Sequence, residues 1–316
     1  MDGDQDPLGP QYVAKELALR GGEVATLVRR GCEEPRNGAV LYVHGYVDYF
    51  FQAHVAEHFV DRGYDFYAVD LRRSGRSLRP GDTPFFFDDL ATFEEELDAA
   101  AEQIRSHGHT RITVLGGSTG GLLVSLWLSR RGDAIPVEAL VLNSPWLDLQ
   151  EPWFMRTFGT LLLYGLGRVL PGLVLPQGIS PAFGASLHAD HHGEWTFNTE
   201  WKPLVDAPTY AGVIAAVRRG QAKLHRGLHL RMPILVMHSD RSLLGLKRWE
   251  PAAQSADCVL DVEQMTQWAP KLGDDVTDVT IPGGLHDLFL SEKPVRERAF
   301  AEMDSFLEQV SGGRPA

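Results

Sequence analysis

Four glycines surround one serine in the segment VLGGSTGG, residues 114–121. Glycine in this quantity costs backbone entropy, so such a cluster marks a turn with unusual dihedrals or very close packing. A run of β-formers, ITVLGGS (112–118), leads into the serine, and a helical pattern, LLVSLWLSRRG (122–132), follows it. The segment is therefore either a tight strand-to-helix turn with an incidental serine, or a turn that raises Ser118 above a sheet as a nucleophile.

Short β-branched runs alternate with helical patterns along most of the chain, which is typical of a mostly parallel sheet wrapped by helices. The middle runs are almost continuously apolar, as expected for strands buried on both faces. The predicted strands are 12–19, 23–30, 39–45, 65–71, 112–118, 139–144, 234–239 and 276–283, and the predicted helices include 88–108, 122–132 and 293–310. The first two strands flank Arg20-Gly21-Gly22 and predict a hairpin at one sheet edge. The expected fold is α/β, with an eight-stranded mostly parallel sheet flanked by helices.

Residues 146–232 break this alternation and are rich in aromatic side chains. The segment falls between two core strands, so it is predicted to be an insertion over one end of the sheet rather than a separate domain. The expected organisation is a core of residues 1–145 and 233–316 with a mainly helical cap, residues 146–232. We expect the apolar face of this cap to cover Ser118.

The composition excludes several classes of partner. With a formal net charge of −12, the chain lacks the excess of basic residues that is typical of a nucleic-acid-binding protein. Cys32 and Cys258 are too few for a disulfide scaffold and are compatible with a reducing compartment. The acidic N-terminus has no apolar region of a signal peptide, and no run of eighteen apolar residues occurs. We therefore expect a cytoplasmic location and no integral membrane segment, and the sequence leaves the oligomeric state open.

A serine hydroxyl is a weak nucleophile at neutral pH and needs a general base. His286 follows the last predicted strand in the glycine-marked loop IPGGLHD, which makes it the candidate base. The oxyanion of the reaction needs preorganised donors, and the backbone N–H of Thr119, the residue after the nucleophile, is one. The loop His44-Gly45-Tyr46 follows the third strand and offers the N–H of Tyr46 as the second. A strand-end turn without this role is the alternative for that loop.

The segments VLYVHGY (40–46), YAVDLRRSGRS (67–77), GGSTGG (116–121) and GGLHD (283–287) together resemble the α/β-hydrolase superfamily. They look most like its lysophospholipase, monoacylglycerol-lipase and serine-aminopeptidase-like branch. The resemblance implies an eight-stranded core, a cap, a catalytic triad in the order Ser, acid, His, and hydrolysis without a cofactor. Tyr46 departs from the family, which usually has a small residue after His-Gly, and is expected to narrow the pocket entrance.

Two aspartates compete for the acid position that the resemblance implies. Asp240 comes directly after the predicted strand ILVMHS (234–239), at the strand end. Asp257 lies in SADCVLD (255–261), which leads into a helix as the family's acid-bearing segment does, and Asp257 is favoured for this reason. The stretch 241–254 must then loop out and return Asp257 to the strand end.

The resulting hypothesis is a serine hydrolase that cleaves carboxylic esters of apolar or acyl-chain substrates with Ser118, Asp257 and His286. An aminopeptidase or an acyltransferase with the same triad is the enzymatic alternative. A non-catalytic member of the fold that binds a small apolar ligand is the alternative from another class. No metal is expected, because HADHH (188–192) has close spacing and no partner cluster and is more typical of a solvated loop.

Overall fold

A computed structural model describes residues 6–149, 160–175, 180–205 and 207–312 of the chain. Within 160–164 it describes the backbone but not the side chains. Part of the aromatic group in the predicted cap, namely Trp153, Phe154, Phe158 and the side chain of Tyr164, therefore lies outside what the structure describes.

All eight predicted strands are present and form one sheet. The strands of the described chain are β1 (Tyr12–Ala18), β2 (Val24–Arg30), β3 (Ala39–Val43), β4 (Asp65–Asp70), β5 (Ile112–Gly117), β6 (Val137–Asn143), β7 (Val174–Leu175), β8 (Thr209–Tyr210), β9 (Ile234–Ser239) and β10 (Val276–Ile281). The sheet has the order β1-β2-β4-β3-β5-β6-β9-β10, and β7 pairs with β8 separately. The predicted fold class is confirmed.

The sheet is parallel from β4 to β10 and antiparallel at one edge. β1 pairs antiparallel with β2, and β2 pairs antiparallel with β4. The predicted hairpin is confirmed, and Gly21 and Gly22 supply its turn with φ of 71° and 80°. Only glycine adopts such values readily, so the turn requires these two residues.

Helices connect the strands and cover both faces of the sheet. They are α1 (Ala53–Asp61), α2 (Glu94–Ser106), α3 (Thr119–Arg131), α4 (Thr160–Val169), α5 (Pro181–Leu187), α6 (Ala211–Leu224), α7 (Val262–Trp268) and α8 (Lys293–Gly312). The helix predicted at 122–132 begins earlier, at Thr119, because its glycine-rich first turn carries no apolar periodicity that could reveal it.

The alternation of side chains along the strands divides the core into two layers. In β3, Leu41 packs into the layer beneath α2, α3 and α6, whereas Val40 and Tyr42 pack into the layer beneath α1 and α8. Both faces are buried, so β3 carries apolar residues at every position. The carboxyl ends of the parallel strands meet at one edge, where ligands bind in open α/β sheets.

Close packing at this edge generates a stability prediction. A β-carbon at Gly120 would lie 2.3 Å from the carbonyl oxygen of His44, whereas one at Gly117 would meet nothing within 4 Å. Gly120→Ala is expected to lower the free energy of unfolding by about 1–3 kcal/mol, because the clash involves backbone. The matched Gly117→Ala should change it by less than about 0.5 kcal/mol. Urea unfolding measures both, and equal losses would contradict the packing described here.

Candidate active site

Ser118 occupies a strained turn between β5 and α3. Its φ of 51° and ψ of −120° lie outside the regions that side chains favour. Such a conformation costs about 1–3 kcal/mol and persists only where the surroundings enforce it. The Ser118 N–H donates to the carbonyl of Asn143 at 3.0 Å, and the Trp146 N–H donates to the carbonyl of Ser118 at 3.0 Å. The end of β6 thus holds the turn in place.

The glycines of the turn allow backbone segments to approach each other. A β-carbon at Gly116 would lie 2.9 Å from the Cα of Gly121. A β-carbon at Gly45 would lie 2.9 Å from Ser118 Cβ and 3.4 Å from Ser118 Oγ. The loop after β3 therefore passes directly beside the serine hydroxyl.

His44 fixes the orientation of this loop. Its Nδ1–H donates to the carbonyl of Gly45 at 2.7 Å, and its Nε2 accepts the Leu71 N–H at 3.0 Å. The peptide bond between Gly45 and Tyr46 is trans, so its N–H points opposite to its carbonyl, away from the His44 ring. In the described part of the chain, the N–H groups of Tyr46 and Thr119 donate to no protein acceptor.

The structure brings His286 and Asp257 together. The Nδ1–H of His286 donates to Asp257 Oδ2 at 2.8 Å. Asp257 is fully buried and His286 is 6% exposed. The other carboxylate oxygen, Oδ1, accepts the N–H groups of Val259 and Leu260, both at 2.8 Å. Within the described residues, the Nε2 of His286 has no hydrogen-bond partner and is open to accept a proton.

The second aspartate, Asp240, lies elsewhere. It is exposed and accepts the N–H of Gly283 at 2.8 Å, so it caps a turn of the loop that carries His286. The stretch 241–254 loops out as the Asp257 prediction requires. Asp257 then pairs with the strand end, since its N–H donates to the Arg241 carbonyl at 2.9 Å and its carbonyl accepts the Leu243 N–H at 2.8 Å.

Comparison with known proteins agrees with this architecture. Residues 34–293 match the family described as serine aminopeptidase, S33. The chain belongs to this family of α/β-hydrolases. No curated protein matches the hydrolase at a significant level.

Several solved structures are similar to the hydrolase over most of its length. The monoglyceride lipase of Saccharomyces cerevisiae, a soluble variant with a substrate analogue, is 18% identical, with 94% of each chain covered and a TM-score of 0.70. The monoacylglycerol lipase of Paleococcus ferrophilus is 21% identical, covers 90% of this chain and 98% of its own, and has a TM-score of 0.65. An esterase of Exiguobacterium antarcticum is 17% identical, covers 94% of this chain and 100% of its own, and has a TM-score of 0.60. At these identities the likeness shows the fold.

Tyr46, the large residue that follows His-Gly in this hydrolase, makes contacts that a small residue could not make. Its hydroxyl donates to the carbonyl of Pro208 at 2.7 Å, and its ring meets the edges of Phe85 and Phe87 at 6.1 Å each. Burial raises the pKa of Tyr46, so the hydroxyl stays protonated as a donor. The side chain thus joins the loop beside Ser118 to the segment before β8.

A cavity of about 20 Å³ lies behind the same loop, and its lining includes Tyr46, Thr119 and apolar side chains such as Phe87 and Phe93. This volume holds about one water molecule and no acyl chain.

Other sequence features have ordinary contacts. His188 accepts the Asp190 N–H at 3.2 Å, and His192 stacks on Trp249 at 3.5 Å. Among the described residues, no group of three or more His, Cys, Asp or Glu side chains is arranged to hold a metal ion. No helix in the described ranges is both long and apolar enough to cross a bilayer.

Sequence reasoning missed three side chains that border the site, namely Gln52, Asn143 and Asp287. Asn143 Nδ2 donates to Asp287 Oδ1 at 2.7 Å, and Gln52 Nε2 donates to Asp287 Oδ2 at 3.2 Å. The only available signals were positional, since Asn143 is the next-to-last residue of a predicted strand and Asp287 follows His286 directly.

The geometry of the two aspartates generates the next prediction. Asp257→Asn is expected to lower kcat by about 10⁴-fold, because the amide favours the wrong imidazole tautomer and no longer stabilises an imidazolium. Asp240→Asn keeps an oxygen that accepts the Gly283 N–H and should leave kcat nearly unchanged. Steady-state kinetics of both variants make the comparison. If Asp240→Asn lost most of its activity and Asp257→Asn stayed nearly normal, the acid would be Asp240 instead of Asp257.

Proposed function

We propose that this protein is a serine hydrolase that cleaves carboxylic esters of apolar or acyl-chain substrates. In this proposal Ser118 is the nucleophile, His286 the general base and Asp257 the carboxylate that orients the imidazole. The observation that carries it is the buried Asp257–His286 hydrogen bond of 2.8 Å, which leaves the imidazole Nε2 free at the edge that bears the strained serine. This is the arrangement that activates a serine hydroxyl.

Acylation begins when Ser118 Oγ attacks the ester carbonyl carbon and its proton passes to His286 Nε2. The carbonyl oxygen becomes an oxyanion, for which the N–H groups of Tyr46 and Thr119 are the donors. The tetrahedral intermediate collapses, the bond between carbon and alcohol oxygen breaks, and His286 returns the proton to the leaving alcohol. An acyl ester on Ser118 remains.

Deacylation repeats these steps with water. His286 Nε2 takes one proton of the water as its oxygen attacks the acyl carbon, and then gives the proton to Ser118 Oγ as the carboxylic acid leaves. Each proton that His286 accepts makes an imidazolium, and the Asp257 carboxylate stabilises this charge. The balanced reaction consumes one ester and one water and needs no redox partner.

An apolar substrate is supported by aromatic side chains from the predicted cap, residues 146–232. The ring of Phe183 in α5 meets the His286 ring edge-on at 5.4 Å. Phe197 packs against Phe51 at 4.8 Å, beside the loop that follows Tyr46. Aromatic side chains at a site favour acyl chains over sugars or nucleotides. The charge of Lys202, whose Nζ lies 5.7 Å from the Phe183 ring, is paired with Asp48 at 2.7 Å. The lipase and esterase names of the similar structures point the same way.

The family description makes an aminopeptidase the alternative to test. Recognition of a substrate amine needs carboxylates held close to the serine. In the described part of the predicted cap, Glu194 pairs with Arg296 and Asp190 contacts His188 at 3.6 Å, and both carboxylates are mostly exposed to solvent rather than enclosed in a site. Ester hydrolysis is therefore favoured.

A cytoplasmic location stays part of the proposal, and the state of the cysteines supports it. Cys32 and Cys258 are both free. Burial, reinforced by Asp257, raises the pKa of the Cys258 thiol to about 11, which leaves it unreactive.

The first test is the hydrolysis of p-nitrophenyl esters by the wild type and by Ser118→Ala. The variant should lose about 10⁶-fold in kcat with an unchanged thermal midpoint, because removal of a triad nucleophile disables the whole triad. Aminoacyl p-nitroanilides and alcohol acceptors, run in parallel, detect the peptidase and the acyltransferase. A fall of only a few-fold in Ser118→Ala would remove Ser118 from the mechanism.

Phe183 generates a prediction on chain length. Phe183→Ala is expected to change the ratio of kcat/KM between long-chain and short-chain esters by about tenfold, since a pocket contact contributes about 1–3 kcal/mol of discrimination. The control is Val205→Ala, which removes a side chain that is 54% exposed. Identical chain-length profiles for Phe183→Ala and the wild type would place the acyl chain elsewhere.

A further inference from the structure

Asp287 is bonded to side chains from two other segments that surround the site. It follows His286 in the loop after β10, and its Oδ1 accepts the side-chain N–H of Asn143 at 2.7 Å and the Phe289 N–H at 3.1 Å. Its Oδ2 accepts the side-chain N–H of Gln52 at 3.2 Å. One carboxyl group therefore connects the histidine loop to β6 and to the segment after the oxyanion loop.

Asn143 carries the connection on to the nucleophile. It ends β6 and is 4% exposed. Its main-chain carbonyl accepts the Ser118 N–H at 3.0 Å, and its side-chain oxygen accepts the Leu288 N–H at 3.2 Å. A single residue thus contacts the Ser118 turn with its backbone and the two residues after His286 with its side chain.

We propose that Asn143 and Asp287 are positioning residues that set His286 at the height and angle at which its Nε2 serves Ser118. The inference rests on the proposed function of Ser118 and His286. Asp257 restrains the far side of the imidazole, but it sits on the segment after β9, and among the described residues its carboxylate bonds to Val259, Leu260 and His286 rather than to the Ser118 turn. The Asn143–Asp287 hydrogen bond supplies the restraint between base and nucleophile, where an error of about 1 Å costs about 10²-fold in rate.

The stability of the fold does not explain a carboxyl group at this place. Burial first, and then the charge of Asp48, raise the pKa of Asp287, while Lys202 opposes them. Tyr42 is a further titratable group that interacts with it. A raised carboxyl pKa means that the folded protein loses stability as the pH rises above the ordinary aspartate value of 3.8. At neutral pH the cost of burying its charge therefore offsets part of the stability that its accepted hydrogen bonds supply.

The test exchanges the two residues. Asp287→Asn, Asn143→Asp and the double variant Asn143→Asp/Asp287→Asn are compared with the wild type. The readouts are kcat and KM for a p-nitrophenyl ester, the rate at which a fluorophosphonate labels Ser118, and the thermal midpoint. Asp240→Asn, which alters another acceptor of the histidine loop, is the matched control. All rates are divided by the folded fraction.

Each single variant is expected to lose about 10²-fold in kcat and in labelling rate with KM changed less than threefold, because the base is displaced and substrate binding is kept. Asp287→Asn is also expected to lower the thermal midpoint, because its amide nitrogen would face the Asn143 or Gln52 donor, and the rates are for this reason compared per folded molecule. The double variant restores an Asp–Asn pair in reverse and should recover at least tenfold over either single variant. The control should match the wild type.

Two results overturn the inference. The first is a normal rate per folded molecule in the single variants, which makes the pair structural only. The second is a double variant whose loss is the product of the single losses, since contacting residues that act together are non-additive. A wild type that labels at Ser118 but hydrolyses no ester refutes the proposed reaction alone, and the labelling rates still decide the positioning role.

Discussion

The strained backbone of Ser118 is the constraint on which the site depends. Its backbone has φ 51° and ψ −120°, a conformation that costs about 1–3 kcal/mol, and the surrounding packing holds it there. Gly116, Gly120 and Gly121 permit backbone contacts that any side chain would prevent. The hydrogen bonds between Ser118, Asn143 and Trp146 close the turn from the side of β6. The strand, the turn and the helix therefore present one hydroxyl at the carboxyl edge of the sheet.

The other parts of the site lie on loops at the same edge of the sheet. The loop after β3 lies beside Ser118 and is oriented by the two hydrogen bonds of His44. The loop after β9 leaves the sheet and returns Asp257 to the strand end, and the loop after β10 brings His286 onto it. In our proposal these loops supply the oxyanion donors, the carboxylate and the base, and the short bonds among them keep the geometry ready before a substrate binds.

The sequence allowed the fold to be predicted because its signals are local. Continuous apolar runs revealed the strands, and the glycine cluster revealed the turn at Ser118. The turn and the eight-stranded sheet could therefore be predicted together. The sequence favoured Asp257 over Asp240 as the acid less firmly, because the path of residues 241–254 depends on pairing between segments that are distant in the sequence. Asn143 and Asp287 are 144 residues apart, and Tyr46 and Pro208 are 162 apart. Such bonds leave no periodic or spacing signal in a single sequence.

The central claim is that Ser118 is the activated nucleophile, and a covalent label locates it directly. The folded protein is treated with a fluorophosphonate, digested, and mapped by peptide mass spectrometry. Our account predicts one phosphonyl group per chain, on Ser118 in the peptide that spans VLGGSTGG. A label on another residue, or none on the folded protein, would contradict it.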